Sequence, residues 1–442
     1  MNIVTRNPYS GAVAGTYEAD SQEAANRKIK EVREEQREWK NSLEERLIYF
    51  KETLKPNLQR KTEQLASIMT EEMGKPISQS ISEVNKSVKL LDYLIENARN
   101  IFGEEDIRTE AERSYVRFDP LGVVMCIEPW NFPVWQVARA AFPALLAGNG
   151  VVLKHSSAVT GVSLKIQEIV DSPIFRSLII DGKSATALIK QVDGVAFTGS
   201  TPVGAGIAAE AGKELKKVVM ELGGSDPFIV LDSADIKRAS KAATIGRLQN
   251  NGQSCIASKR FLIQENVYEE FKELMQEEFS KVVIGDPKEK KTYLGPLSSE
   301  EQKRSVKNQI NYLASRGKVQ FIGREEGNII PPVLAELEEN YQEEIFGPVA
   351  VLKKFRSRED AIRIANETPF GLGSSIWGKK EEAESMVGEI EAGMVFINSI
   401  VFSDPRLPFG GVKKSGLGRE LSKYGSREFT NMKSVWVQSS AP

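Results

Sequence analysis

The chain has 442 residues, more than one hydrophobic core ordinarily holds, which points to two large domains with a small third element. Apolar residues make up 40% and charged residues 27%, and the net charge is −2. That balance favours a small-molecule substrate over nucleic acid or anionic lipid. The opening MNIVTRNPYSG lacks the apolar core of a signal peptide, and no apolar run is long enough to span a membrane. With only two cysteines, Cys126 and Cys255, the expectation is a cytoplasmic protein with reduced thiols. The only histidine, His155, restricts His-based triads, and no metal site is expected from so few ligands. Acid–base chemistry then falls to a carboxylate or a lysine.

In chain order, residues 20 to about 103 read as long amphipathic helices with Glu/Lys-rich faces, and Pro56 is expected to kink the stretch from Glu44 to Leu65. From 121 the pattern turns to short apolar runs: LGVVMCIEPW, GVVLKHSS, SLIID, VDGVAFTGS and KKVVMEL, alternating with helical stretches. That alternation predicts a parallel α/β sheet. It restarts after Gly224 with PFIVLD and KRFLIQ, predicting a second α/β domain beginning near 222. The terminal SVWVQ reads as a strand that pairs with another sheet.

Six segments carry candidate chemistry. NNGQSC places Cys255 on a loop where backbone N–H donors can stabilise the oxyanion a thiolate creates. MELGG puts Glu221 at a strand end beside Gly223 and Gly224, facing a cleft as a base toward water. FTGS offers a Gly199–Ser200 turn at a helix start, suited to a pyrophosphate. LKHSS presents Lys154 to ribose hydroxyls, and EPWNFP presents Asn131 as a second oxyanion donor. EEIFGP adds a carboxylate for a ribose. Alone, each has a plain structural alternative: a buried thiol, a solvated glutamate, a surface lysine, a tight turn or a helix end.

Together and in this order the segments resemble the aldehyde dehydrogenase superfamily. The match runs through NPYSG (7–11), EEMGKP (71–76), PWNFP (129–133), VVLKHSS (151–157), FTGS (197–200), ELGG (221–224), GQSC (252–255), EEIFGP (343–348) and PFGGVKKSGLGRE (408–420). The resemblance implies an α/β fold: a Rossmann-like cofactor domain (1–105 and 121–221), a catalytic domain (222–411) and an oligomerisation arm (106–120 and 412–442). It implies Cys255 as nucleophile, Glu221 as general base and Asn131 as oxyanion donor. Gly199 and Ser200 fall at the pyrophosphate, Lys154 and Trp130 at the adenosine-ribose cleft, Leu222 against the nicotinamide and Glu344 at the nicotinamide ribose. His155 stands where many members have proline and reads as a turn residue.

Within the family the chain is similar to short bacterial succinate-semialdehyde dehydrogenases of the Sad-like kind. A semialdehyde carries a distal carboxylate, which wants a cation. Arg139 falls where semialdehyde-specific members place an arginine, and Arg247 and Arg406 are further candidates. Gln249 departs from the arginine some of these members carry six residues before the nucleophile. Ser157 replaces a glutamate frequent in NAD-preferring members, so the expected cofactor is NADP, with NAD use open. The expected assembly is a homodimer or homotetramer. The alternatives are a broad-specificity enzyme, one for another small aldehyde such as glyceraldehyde, an acylating CoA-using member, and a non-catalytic member with a structural or binding role.

Overall fold

The structure is a computed structural model that describes residues 2–439. An N-terminal hairpin, Asn2–Arg6 with Val13–Glu18, precedes the helical region. Between Leu43 and Met73 the helix is interrupted twice. A π-turn, Phe50–Leu54, stands just before Pro56, whose missing N–H cannot continue the ladder. A second break falls at Lys61, so the expected kink becomes two short segments before helix Thr62–Met73. The 26-residue helix Ile77–Phe102 follows and packs on Trp135–Ala147, a helix buried on every face.

The first sheet has six strands, in the order Gly416–Leu417, Lys217–Glu221, Gly194–Thr198, Val123–Glu128, Gly150–His155, Phe175–Ser177. All are parallel except Gly416–Leu417. The chain enters at the central strand Val123–Glu128, winds outward through 150 and 175, then returns to wind the other way through 194 and 217. The direction reverses between Val123–Glu128 and Gly194–Thr198, and a doubly wound sheet binds ligands in the crevice at that point. PWNFP and FTGS extend from those two strand ends. The apolar runs of the sequence are central parallel strands covered on both faces, which is why they are continuous rather than alternating.

The second sheet has seven strands, with Asp226–Val230 and Ser258–Gln264 at its centre and only the edge strand Lys318–Phe321 antiparallel. A third, small sheet joins Thr430–Val437, Arg113–Pro120 and Glu105–Asp106. The segment expected as part of the arm, 412–442, is divided between three sheets. Val412–Lys413 pairs with Phe370–Gly371, and Gly416–Leu417 joins the first sheet beside Met220 and Glu221. The reason is close backbone contact: Gly416, at φ 151°, lies so near the Met220 carbonyl that a Cβ would overlap it. Thr430–Val437 pairs with Arg113–Pro120 in the small sheet, and residues 440–442 lie outside the described residues. Among the described residues no helix is long and apolar enough to cross a membrane.

Candidate active site

The cysteine loop is built by an unusual backbone. Asn250, Asn251 and Gly252 are all left-handed, at φ 56°, 58° and 73°. Asparagine tolerates that region because its short side chain bonds locally. Asn250 Nδ2 donates to the carbonyls of Asn131 (2.7 Å) and Gln253 (3.0 Å). Asn251 Nδ2 donates to Gly74 and Pro296, and its Oδ1 accepts from Gly295 N–H. The loop is thus fixed to EEMGKP on one side and to PWNFP on the other. Gly252 packs directly on Gly347 of EEIFGP, where a side chain would overlap that carbonyl. The two motifs are one wall.

Three groups complete that wall. Lys259, fully buried, donates to the carbonyls of Ser254 (2.9 Å) and Cys255 (2.6 Å) and lies 3.6 Å from Glu344. Glu344 also accepts from Gly224 N–H at 3.2 Å. Burial raises its pKa, with Lys259 opposing.

A cavity of about 260 Å³ is lined by Trp130, Asn131, Gly199, Ser200, Leu222, Cys255 and Glu344. Seven residues singled out in the sequence therefore meet in one space. Glu221 does not line it. Its buried carboxylate sits one residue behind Leu222, and among the described residues no hydrogen-bond partner reaches it. Gly410, at φ 149°, makes the room: a Cβ there would stand 2.7 Å from Glu221 Oε1. Burial lifts Glu221 well above the usual carboxylate range, with Glu420 adding to the rise and Arg139 opposing it. Such a carboxyl is a stronger base than an exposed one whenever it is ionised. Burial likewise pushes the Cys255 thiol up to about 12, against Arg139 and Lys259. The resting side chain is the thiol.

Asn131 Nδ2 donates one hydrogen to Gln253 O at 3.1 Å, leaving the other for a ligand. Its Oδ1 accepts from Gln136 Nε2 at 3.0 Å, which fixes the amide with its donor side toward the cavity. Sequence reasoning missed Gln136, although it lies on the helix that continues PWNFP. It also missed Gln302 and Phe346, which share the lining, and Phe346 packs edge-on to Trp130 at 5.7 Å. Nothing in the local pattern around Gln302 marks it.

A larger cavity, about 930 Å³, holds Lys154 and Ser157 beside Asp181 and the N-terminal hairpin. Helix Thr201–Lys213 starts from Ser200, whose side chain makes no cap bond, so unpaired N–H groups face outward at its N-terminus. An anion seat at this helix, a cation at Lys154, a carboxylate at Glu344 and an apolar side chain at Leu222 fit the parts of a nicotinamide dinucleotide. His155 is buried, and burial lowers its pKa to about 4. Its Nε2 bonds Pro133 O at 2.8 Å and its Nδ1 accepts from Ser156 N–H, so it ties the PWNFP turn to the strand end and does not act on a proton. Cys126 lies wholly in the core of the central strand.

The three arginines do not reach this cavity. Arg247 is fully buried and donates to the carbonyls of Ser258, Gly252 and Gly347, so it braces the cysteine loop. Arg406 points to solvent and pairs with Asp404 at 2.8 Å. Arg139 is buried 3.0 Å from Glu420 and stacks over Phe409 at 4.3 Å. Its charge is taken by a carboxylate of its own chain. Helix Trp135–Ala147 has no polar face, and that pairing compensates the buried cation.

Residues 1–435 match the model of the aldehyde dehydrogenase family. The chain is 40% identical to the probable succinate-semialdehyde dehydrogenase [NADP(+)] of Synechocystis sp., covering 99% of this chain and 100% of that one. It is 37% identical to succinate-semialdehyde dehydrogenase [NADP(+)] 1 of Mycobacterium tuberculosis, with the same coverage. Its fold matches the crystal structure of succinic semialdehyde dehydrogenase from Streptococcus pyogenes in complex with NADP+, at TM-score 0.95 and 34% identity, covering 99% of this chain and 100% of that one.

Proposed function

The chain belongs to the aldehyde dehydrogenase family, and from that premise we propose that it oxidises succinate semialdehyde to succinate with NADP, through a thioester on Cys255. One observation carries the reading: Cys255, Asn131, Leu222 and Glu344 line a single cavity with Glu221 buried behind it. The Cys255 thiol gives its proton to solvent water, and the resulting Sγ thiolate adds to the aldehyde carbon as the carbonyl π bond breaks toward oxygen. Asn131 Nδ2–H and the Cys255 backbone N–H donate to the oxygen that becomes an alkoxide. When bound, the dinucleotide supplies the hydride acceptor, and the oxidised carbon stays on Cys255 as the thioester. Glu221 takes a proton from water, the water oxygen attacks the thioester, and Cys255 leaves as thiolate. Sulfur suits both halves, a strong nucleophile first and a good leaving group second.

The residues that would hold the dinucleotide are Lys154 and Ser157 at the adenosine ribose, Gly199 and Ser200 at the pyrophosphate, and Glu344 at the nicotinamide ribose. Trp130 and Leu222 supply apolar walls. NADP over NAD is supported by Ser157, which offers a hydroxyl beside Lys154 where a carboxylate would repel a 2′-phosphate. The named relatives carry NADP(+) in their descriptions. Assembly as a homodimer or homotetramer belongs to the same proposal. It is supported by the edge strand Thr430–Val437, which leaves Met432 66% and Trp436 57% exposed. So does a cytoplasmic location, supported by two unpaired cysteines. A neutral small aldehyde is the second reading, favoured by the absence of Arg139, Arg247 and Arg406 from the lining.

The test is formation of reduced dinucleotide from succinate semialdehyde, with NADP and with NAD, beside Cys255→Ala and Ser157→Glu. The expected result is NADP-preferring turnover, none in Cys255→Ala, and a cofactor preference moved toward NAD by about tenfold or more in Ser157→Glu. Turnover by Cys255→Ala overturns the mechanism. Turnover of neutral aldehydes alone overturns the substrate.

A further inference from the structure

With the arginines committed elsewhere, a different cation stands in a cavity beside the PWNFP turn. A third cavity of about 360 Å³ lies beside the PWNFP turn, lined by Phe132 and Trp135, by Gln249 ahead of the cysteine loop, and by Ile400 and Phe402. Phe132 adjoins Asn131, and Gln249 adjoins Asn250, which holds the Asn131 carbonyl. Lys86 projects into this space from helix Ile77–Phe102.

The neighbouring charges are already balanced. Lys75 pairs with Glu83. Glu83 also accepts from the backbone N–H groups of Val134 (2.8 Å) and Trp135 (2.9 Å), capping the next helix. Arg139 is matched by Glu420, and Asp404 by Arg406. Lys86 is different. Among the described residues its ammonium has no carboxylate within ion-pair distance. It donates to Ser403 Oγ at 2.6 Å and lies 4.4 Å over the Trp135 ring. Ser403 Oγ also accepts from Trp135 Nε1 at 3.0 Å, so the lysine head is held in place by two neutral neighbours. An ammonium has three hydrogens, and one serves Ser403. Burial lowers Lys86 to about 7, with Arg139 adding to the fall and Glu83 and Asp404 opposing it. A lysine so desolvated gains from a bound anion.

We propose that Lys86, seated on Ser403 and Trp135, receives the distal carboxylate of the substrate and sets the preference for a semialdehyde over a neutral aldehyde. This rests on the oxidation of an aldehyde at Cys255. The aldehyde end reaches the cysteine past Phe132 while the carboxylate stays at the lysine. Gln249 lies on the same wall and adds no charge, so a single cation does what an arginine would do from that position.

The experiment compares kcat/KM for succinate semialdehyde with that for butanal, which has the same chain length and no carboxylate, in wild type, Lys86→Met and Lys86→Arg. The expected result is a wild-type preference for the semialdehyde that falls by about tenfold or more in Lys86→Met, mainly through KM, and is partly restored in Lys86→Arg. Succinate should also slow alkylation of Cys255 in wild type and fail to do so in Lys86→Met. A Lys86→Met enzyme that keeps the wild-type preference overturns the assignment, as does an equal loss on both substrates, which marks a packing role. A wild type that does not distinguish the two aldehydes overturns the semialdehyde reading itself and Lys86 with it.

Discussion

Gln136→Met tests how the oxyanion donor is held. The Asn131 amide is buried with two anchors: Nδ2 to Gln253 O at 3.1 Å and Oδ1 from Gln136 Nε2 at 3.0 Å. Methionine keeps the volume and removes the second anchor. A buried acceptor that loses its donor costs about 1–3 kcal/mol. The remaining bond to Gln253 still favours the productive orientation, so the donor is misdirected only part of the time. A loss of 1–2 kcal/mol in that preference corresponds to about 5–30-fold. Removing the donor outright, in Asn131→Ala, should cost about 10²–10³ in kcat. The double variant Asn131→Ala/Gln136→Met should match Asn131→Ala, because Gln136 acts only through the amide it orients. The assay is steady-state formation of reduced dinucleotide, with a thermal melt confirming the fold of each variant. Wild-type kcat in Gln136→Met, or a double variant whose loss is the product of the two singles, refutes the reasoning.

Glu221→Gln should release about one equivalent of reduced dinucleotide per site in a fast burst and then turn over about 10²–10⁴ times more slowly, read by rapid mixing; slow turnover without a burst would place Glu221 before the thioester. Arg247→Met leaves the carbonyls of Ser258, Gly252 and Gly347 without their donor, so it should lower stability by about 3–5 kcal/mol in a denaturant titration while reducing semialdehyde and butanal oxidation equally. A loss confined to the semialdehyde would return Arg247 to the substrate site. His155 has a folded pKa near 4 against 6.5 unfolded, so below 6.5 the unfolded chain binds more protons. Its contribution is complete above pH 6.5 and falls by about 3 kcal/mol as the pH drops toward 4. His155→Gln should flatten that part of the stability profile, measured as unfolding midpoints at several pH values, and an unchanged profile would remove His155 as its source.

Local order in the chain determined much of this protein. The apolar runs from Val123 onward were legible as buried parallel strands because strands covered on both faces need no polar alternation. The glycine-bearing turns at 199 and 223 were legible beside candidate chemistry, and the family motifs named the residues next to them; that Gly252 packs on the Gly347 backbone was decided by the fold. The fate of the charged side chains was not legible, because it depends on partners that only the fold brings within reach, some of them hundreds of positions away. Arg139 is claimed by Glu420, Arg247 by carbonyls at 252, 258 and 347, and Lys86 by a serine at 403. A sequence shows that a cation is present. Only the folded chain decides whether its charge is already matched, since a buried pair must close on itself and an unmatched one is left for a ligand.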